Sequence, residues 1–232
     1  MKLDQVIPFG RSLDEYQNMF ALSDGDLKKK IVGVGDGPAS FNAELFALGK
    51  TVVSVDPLYI FSAEAIEKQF SSVVDLVIDQ VKATPGDWVW SYHRSPAHLK
   101  ANRVAALHAF VADYERGKAA GRYMVGELPI LSFERDRFDL ALCSHLLFLY
   151  SDHLSYEFHR ASVREMLRVA SEVRLFPLLT LRLEVSPHLH PLIKDLKTDG
   201  FAVRREQVGY ELQRGGNEML RIQRVLPVRN GR

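Results

Sequence analysis

Residues 30–56 read KIVGVGDGPASFNAELFALGKTVVSVD, and this stretch decides the fold class. It opens with an apolar run that enters glycines, which predicts a short buried strand over residues 30–34. Residues 41–48 have helical spacing and stop before Gly49, and the β-branched residues 51–55 predict a second strand. A strand, a helix and a second strand in this order indicate a parallel sheet covered by helices.

Strands and helices alternate along most of the remaining chain. We predict further strands over residues 123–125, 138–143, 172–176, 201–210 and 218–225, and helices over residues 12–22, 63–81, 96–120, 153–170 and 187–199. The last two strands are joined through Gly215-Gly216, a turn typical of an antiparallel hairpin. The sequence therefore predicts an α/β fold of Rossmann-like type, with a seven-stranded, mostly parallel sheet and a C-terminal antiparallel hairpin.

The chain is predicted to form a single domain over residues 1–232. Residues 1–27 are expected to form an N-terminal extension, and residues 62–121 a helical insertion between the second and third strands. Because lids exclude water and define small pockets, we expect both segments to close over a bound ligand.

The composition excludes several classes of protein. Hydrophobic residues make up 47% of the chain and charged residues 25%, which are ordinary values for a globular protein. A formal net charge of +1 predicts no general attraction to nucleic acid or to an acidic membrane. The single cysteine, Cys143, and the lack of Cys and His ligand spacing predict no disulfide and no metal. Without a signal peptide or a long apolar run, we expect a cytoplasmic monomer or homodimer with a small-molecule substrate.

The segment between the first strand and the first helix is typical of a nucleoside-binding loop. Gly35 and Gly37 let the backbone approach a ligand closely, and the following helix N-terminus offers N–H donors. Asp56 ends the second strand, where a carboxylate can accept both hydroxyls of a ribose. Pro38 removes an N–H donor that a dinucleotide pyrophosphate would need, which favours S-adenosylmethionine (SAM) over NAD(P).

From about Leu27 to Val225 the chain resembles the class I SAM-dependent methyltransferases. The segments IVGVGDGPASF, VVSVDP and GELPILSFERDRFDLALCSHLLFLYSD are similar to the family's glycine loop, its ribose-binding strand end and its adenine-proximal region with strand four. The family usually has an acid where this chain has Gly33, and a third glycine where it has Ala39. The resemblance implies SAM contacts from Gly35, Asp36, Gly37, Asp56, Pro57, Leu58, Glu127, Leu128 and Ser144, with His145 facing the acceptor.

Three segments are expected to reach the reacting centre: the loop after the fourth strand, the aromatic loop within the insertion, and the N-terminal segment. His145 is a candidate general base because its ordinary pKa lies near neutrality, and a structural role is the alternative. Tyr92 and Tyr150 are candidates to face the sulfonium through cation–π or hydroxyl contacts. Substrate or lid contacts are predicted for six further residues: Tyr16, Met19, Phe20, Trp90, His93 and Arg94.

The sequence is compatible with three functions. The first is SAM-dependent methyl transfer to a small-molecule acceptor, in which the protein mainly aligns the reactants. The second is cyclisation of SAM alone to azetidine-2-carboxylate with release of methylthioadenosine, a reaction of some enzymes similar to methyltransferases. The predicted lids look compatible with it because an enclosed pocket can hold SAM alone. The third is a SAM-binding protein without catalytic activity.

Overall fold

The computed structural model describes residues 8–225, which form one sheet and the helices packed against it. The strands are β1 (Ile31–Val34), β2 (Val52–Val55), β3 (Tyr123–Met124), β4 (Phe138–Ser144), β5 (Ala170–Phe176), β6 (Phe201–Gln207) and β7 (Glu218–Arg224). The α-helices of this part of the chain are α1 (Leu13–Phe20), α2 (Phe41–Ala47), α3 (Ala63–Ala83), α4 (Pro96–Ala119), α5 (Tyr156–Val169) and α6 (Leu189–Thr198).

The sheet has the strand order β3-β2-β1-β4-β5-β7-β6. The first five strands in this order are parallel, and β7 runs antiparallel to both of its neighbours, β5 and β6. The chain order reverses at β1, which lies between β2 and β4. Ligands of open α/β sheets bind beyond the carboxyl ends of the strands at such a reversal, so the topology places a site next to the loop that follows β1.

Alternation along the strands divides the core between the two faces of the sheet. Ile31 and Leu140 belong to an apolar cluster with α1, α2, α3 and α4. Their neighbours Val32 and Ala141 belong to a second cluster, with α5 and α6. Successive strand side chains point to opposite faces, and both faces here are covered by helices. This is why β1 (IVGV) is buried along its whole length and contains no polar side chain.

The predicted α/β class with a seven-stranded sheet is confirmed, and the predicted bounds lie within three residues of the observed ones. The predicted tight turn at Gly215-Gly216 is wrong, because β6 ends at Gln207 and ten residues (208–217) lead to β7. This connection pairs with the insertion: Val89 N donates to Leu212 O (2.8 Å). That contact explains its length, because the chain leaves the sheet to reach residues 87–89.

The two predicted lid segments are built into the core. Residues 1–7 of the extension lie outside the described residues, and α1 begins with a capping box in which Ser12 and Glu15 each bond the other's backbone N–H. From the insertion, Phe110 and Tyr114 pack around Tyr59, which follows β2. No helix among residues 8–225 has the length and hydrophobicity required to span a membrane.

Candidate cofactor-binding site

The carboxylate of Asp56 is fixed by backbone amides at the carboxyl ends of β1 and β2. Its Oδ2 accepts a hydrogen bond from Gly37 N (2.8 Å), and its Oδ1 accepts one from Leu58 N (2.8 Å). Burial raises the pKa of Asp56, while these two amides favour its charged form. Each oxygen retains a second lone pair, so the carboxylate can still accept two ligand hydroxyls.

The side chain of Asp36 folds back over Gly33. A Cβ atom at position 33 would lie 2.0 Å from Asp36 Oδ2, so only glycine allows this approach. The hydroxyl of Tyr16 donates to Asp36 Oδ1 (2.7 Å), and Oδ2 is buried without a hydrogen-bond partner among the described residues. Burial, with Asp56 nearby, raises the pKa of Asp36 to about 6. The family's usual acid is replaced by Gly33 in this chain, but the carboxylate of Asp36 lies directly above that position.

These groups border a cavity of about 710 Å³, which is within the usual range for a ligand pocket. We call it the large cavity. Ten residues predicted from the sequence line it: Gly35, Asp36, Gly37, Asp56, Pro57, Leu58, Glu127, Leu128, Ser144 and His145. Its wall also contains residues that sequence reasoning missed, among them Phe9, Arg11, Phe61, Pro129 and Phe158. The predicted residues meet here because each follows the carboxyl end of a parallel strand.

His145 has a left-handed backbone conformation with φ of 52°. Its backbone N–H donates to Phe176 O at the end of β5 (2.6 Å), and its Nδ1 lies 2.8 Å from Ser144 Oγ. Burial lowers the pKa of His145 well below its ordinary value, and the nearby cations Arg11 and Arg103 lower it further. The imidazole is therefore neutral at neutral pH, which is the protonation state that a general base requires.

A second cavity, of about 90 Å³, adjoins the large one. We call it the small cavity. Phe9, Arg11 and His145 line both cavities and so mark their junction. The remaining wall comes from α3, α4, the loop after β4 and the β6–β7 connection: Val77, Val81, Trp88, Leu99, Arg103, Leu149, Tyr150, Leu181, Leu212 and Gln213. The insertion therefore supplies one side of a largely apolar space beside His145.

A buried polar cluster lies beside the small cavity. Arg103 forms a bidentate ion pair with Glu15, with nitrogen–oxygen distances of 2.6 and 2.7 Å. Tyr210 donates to Glu15 Oε1 (3.1 Å), and His93 Nε2 lies 2.9 Å from the Tyr210 hydroxyl. Burial lowers the pKa of His93, so its ring is neutral. These residues come from three distant parts of the chain, and no local spacing in the sequence signals the cluster.

The structure places most of the predicted lid and aromatic residues away from the walls of both cavities. Tyr150 lines the small cavity, whereas the other predicted lid and aromatic residues line neither cavity. Met19 and Phe20 are on the inner face of α1, Trp90 packs against the core, and the Tyr92 hydroxyl donates to Asp14. Arg94 is exposed, because a positive φ of 63° turns it out of the loop. Tyr16 and His93 are fully buried and bonded to Asp36 and to the polar cluster, respectively.

Thiol and metal chemistry find no support in the described residues. Burial raises the pKa of the Cys143 thiol to about 12, so it stays protonated. Residues 8–225 contain no group of three or more His, Cys, Asp or Glu side chains placed to hold a metal ion.

Fold and site together define an α/β protein with a large cavity at the reversal of strand order, where open α/β sheets bind their ligands. No protein-family model matches the chain. It is 32% identical over 225 residues to the uncharacterized protein MJ0045 of Methanocaldococcus jannaschii, covering 97% of this chain and 99% of that protein. The chain belongs to the same family as this archaeal protein.

Solved structures with a similar course of the chain are SAM-dependent methyltransferases. One is magnesium protoporphyrin IX methyltransferase (ChlM) from Synechocystis PCC 6803 with bound SAM, at 17% identity and a TM-score of 0.48, covering 92% of this chain and 78% of that one. Another is a SAM-dependent methyltransferase from Methanosarcina mazei, at 14% identity and a TM-score of 0.43, covering 87% and 94%.

Proposed function

We propose that the protein is a SAM-dependent methyltransferase that acts on a small-molecule acceptor. One observation carries this proposal: the amide-bound carboxylate of Asp56 borders the same cavity as Ser144 and His145. A nucleoside held at Asp56 would therefore direct its 5′ substituent into the part of the cavity that contains the candidate base. A site of this form binds and aligns two reactants, which is the main requirement for methyl transfer.

The chemistry of the lining residues fits SAM. Asp56 offers acceptors for ribose hydroxyls, and Leu128, Pro129 and Phe158 provide apolar surface for an adenine beside Glu127. The charged residues of the wall are three acids (Asp36, Asp56 and Glu127) and one base (Arg11). This surplus of negative charge favours a cationic ligand over a pyrophosphate. The lack of an N–H donor at Pro38 disfavours a pyrophosphate further.

Bound SAM supplies an electrophilic methyl group. The acceptor's lone pair forms a bond to the methyl carbon while the carbon–sulfur bond breaks, leaving S-adenosylhomocysteine. A protonated acceptor must also lose a proton, and the neutral imidazole of His145 can take it. The apolar wall of the small cavity suits this step, because the sulfonium charge disappears as the bond forms.

Calorimetric titration with SAM and with NAD tests the proposal. We expect SAM to bind and Asp56→Ala to weaken its binding about 10- to 100-fold or more, because charge-assisted hydrogen bonds to the ribose are lost. Asp24→Ala, at an exposed position, is the matched control and should leave binding unchanged. Thermal melting checks that both variants are folded. Heat with NAD and none with SAM would refute the proposal.

The size of the small cavity favours one alternative. A space of about 90 Å³ suits the amino-acid end of SAM itself, as cyclisation to azetidine-2-carboxylate requires. There the α-amine would bond to the γ-carbon, the γ-carbon–sulfur bond would break, and methylthioadenosine would leave. Incubation with SAM alone distinguishes the two reactions. Methylthioadenosine without an added acceptor indicates cyclisation, S-adenosylhomocysteine only with an acceptor indicates transfer, and neither product indicates a non-catalytic binder.

A further inference from the structure

We propose that the small cavity binds the carboxylate end of a short aliphatic chain, and that Arg11 is the residue that holds this carboxylate. The inference rests on the proposed function, since it concerns the group that lies beyond the sulfonium end of the large cavity. It assigns a ligand class to the small cavity and a binding role to Arg11.

The N-terminal segment holds Arg11 rigidly at the junction of the two cavities. Gly10 passes so close to the glycine loop that a Cβ atom there would lie 2.0 Å from Pro38 O. Phe9 stacks on Phe70 of α3, with ring centroids 5.8 Å apart. Arg11 Nη1 donates to Phe9 O (2.8 Å), so the guanidinium is fixed to its own segment. A side chain fixed in this way loses little freedom when it binds a ligand.

Arg11 is the cation of this junction that lacks a counter-ion. Arg103, the other arginine of the small cavity, is neutralised by Glu15. Among the described residues no carboxylate forms an ion pair with Arg11, and its Nε is buried without a hydrogen-bond partner. A half-buried guanidinium without a counter-ion is unfavourable, and its planar fork matches a carboxylate. The site therefore favours an anionic ligand group at this point.

The rest of the small cavity restricts what can carry that anion. Its wall is largely hydrocarbon and aromatic, from residues that include Val77, Val81, Leu99, Leu149 and Leu212. Its volume of about 90 Å³ is far smaller than the 710 Å³ of the large cavity, so it suits a short chain and excludes a second nucleoside. A short aliphatic chain fits these walls, whereas a sugar or a phosphate would leave polar groups without partners.

The carboxylate can come from two sources with the same chemistry. It can belong to a separate acceptor, which would then be a small aliphatic carboxylic acid. It can also be the α-carboxylate of SAM, whose methionine chain is itself a short aliphatic chain. The experiment therefore needs one arm for each source.

The first arm measures nucleoside binding by calorimetry in the wild type, Arg11→Met and Arg135→Met. Arg135 is exposed, so its variant controls for the same chemical change. If SAM supplies the carboxylate, Arg11→Met weakens SAM binding about 10- to 100-fold and leaves methylthioadenosine, which has no carboxylate, unchanged. Arg11→Lys should retain part of the affinity, because it keeps the charge and loses the fork. Thermal melting confirms that each variant is folded.

The second arm titrates butyrate and its uncharged analogue butyramide, with and without S-adenosylhomocysteine. If an acceptor supplies the carboxylate, butyrate binds to the wild type and to Arg11→Lys or Arg135→Met more tightly than to Arg11→Met, and butyramide does not bind. Equal behaviour of Arg11→Met and the wild type in both arms would overturn the inference. The proposed function fails separately, if the wild type binds neither nucleoside. The butyrate titration without nucleoside tests Arg11 even then.

Discussion

Asp36 is a buried carboxyl group, and its negative charge lowers the free energy of unfolding. Its pKa is raised from 3.8 to about 6, so the folded protein binds this proton more tightly than the unfolded chain does. The free energy of unfolding therefore falls as the pH rises from about 4 to about 6, and the cost persists at higher pH. A shift of this size corresponds to about 3 kcal/mol. A cationic ligand beside Asp36 would recover part of that energy.

We therefore expect Asp36→Asn to stabilise the ligand-free protein at pH 8 by about 1–3 kcal/mol and to have little effect near pH 4. The asparagine oxygen can still accept the Tyr16 hydroxyl, so the change removes mainly the charge. Urea unfolding at both pH values measures the difference, with the exposed Asp24→Asn as the control. Equal destabilisation at pH 4 and pH 8 would contradict this account. SAM binding should become weaker in the same variant.

His145 offers a test of base catalysis at the same scale. We expect His145→Asn to lower the turnover of SAM about 10²- to 10⁴-fold while SAM affinity changes little. Asparagine suits the replacement because it tolerates the left-handed conformation at this position. Since the pKa of His145 is lowered, the rate of the wild type should not fall as the pH passes downward through 6.5. Unchanged turnover in the variant would mean that His145 has only a structural role.

At the scale of elements, the ion pair between Glu15 and Arg103 joins α1 to α4 across the small cavity. Both side chains are buried, with 1% and 0% exposure, so water solvates neither of the two charges. Removing one partner from such a pair leaves an uncompensated charge in the core. The ion pair adds a specific polar link between α1 and the insertion to the apolar cluster that both share.

We predict that Arg103→Met lowers the free energy of unfolding by about 3–5 kcal/mol. The double variant Glu15→Gln/Arg103→Met should lose less than the sum of the two single changes, because it leaves no unpaired charge. Chemical denaturation of the four proteins gives this double-mutant cycle. Lys82→Met in the exposed pair with Asp79 is the control and should change stability by no more than about 0.5 kcal/mol. Strict additivity would show that the two side chains act independently.

Across the whole molecule, the two cavities lie where three separate parts of the chain meet the sheet. Arg11 comes from the N-terminal segment, Leu99 from the insertion and Gln213 from the β6–β7 connection. A ligand that fills this space contacts all three parts at once. Binding should therefore stabilise the folded molecule as a unit.

Ligand-linked stability measures this coupling. At SAM concentrations of 100 times the dissociation constant, we expect the free energy of unfolding to rise by about 2.7 kcal/mol. Thermal melting at increasing SAM should follow that dependence, and Asp56→Ala should require much more SAM for the same shift. NAD serves as the control ligand and should produce no comparable shift. An equal response to NAD and SAM would mean that the site does not recognise the sulfonium.

Local patterns in the chain were sufficient for the sheet, the glycine loop and Asp56. Strand and helix periodicity depends on neighbouring residues, and the residues that follow parallel strands are brought together by the fold class itself. This is why all ten predicted residues at the strand ends line one cavity. The lid residues could not be placed in this way, because the pattern that predicted α1 does not indicate which surface its inner face meets; Met19 and Phe20 lie in the apolar core.

Long-range packing alone decided the role of the polar side chains. Glu15 and Tyr210 are separated by 195 residues, and Glu15 is bound to Arg103, whereas Arg11 has no counter-ion among the described residues. Asp36 supplies the acid above Gly33 because its side chain turns back along the strand. Such pairings depend on three-dimensional proximity, and a linear pattern of residue types contains no record of it. The amino-acid order thus specified the elements and their ligand-binding ends, while folding in space selected which charges remain free for a ligand.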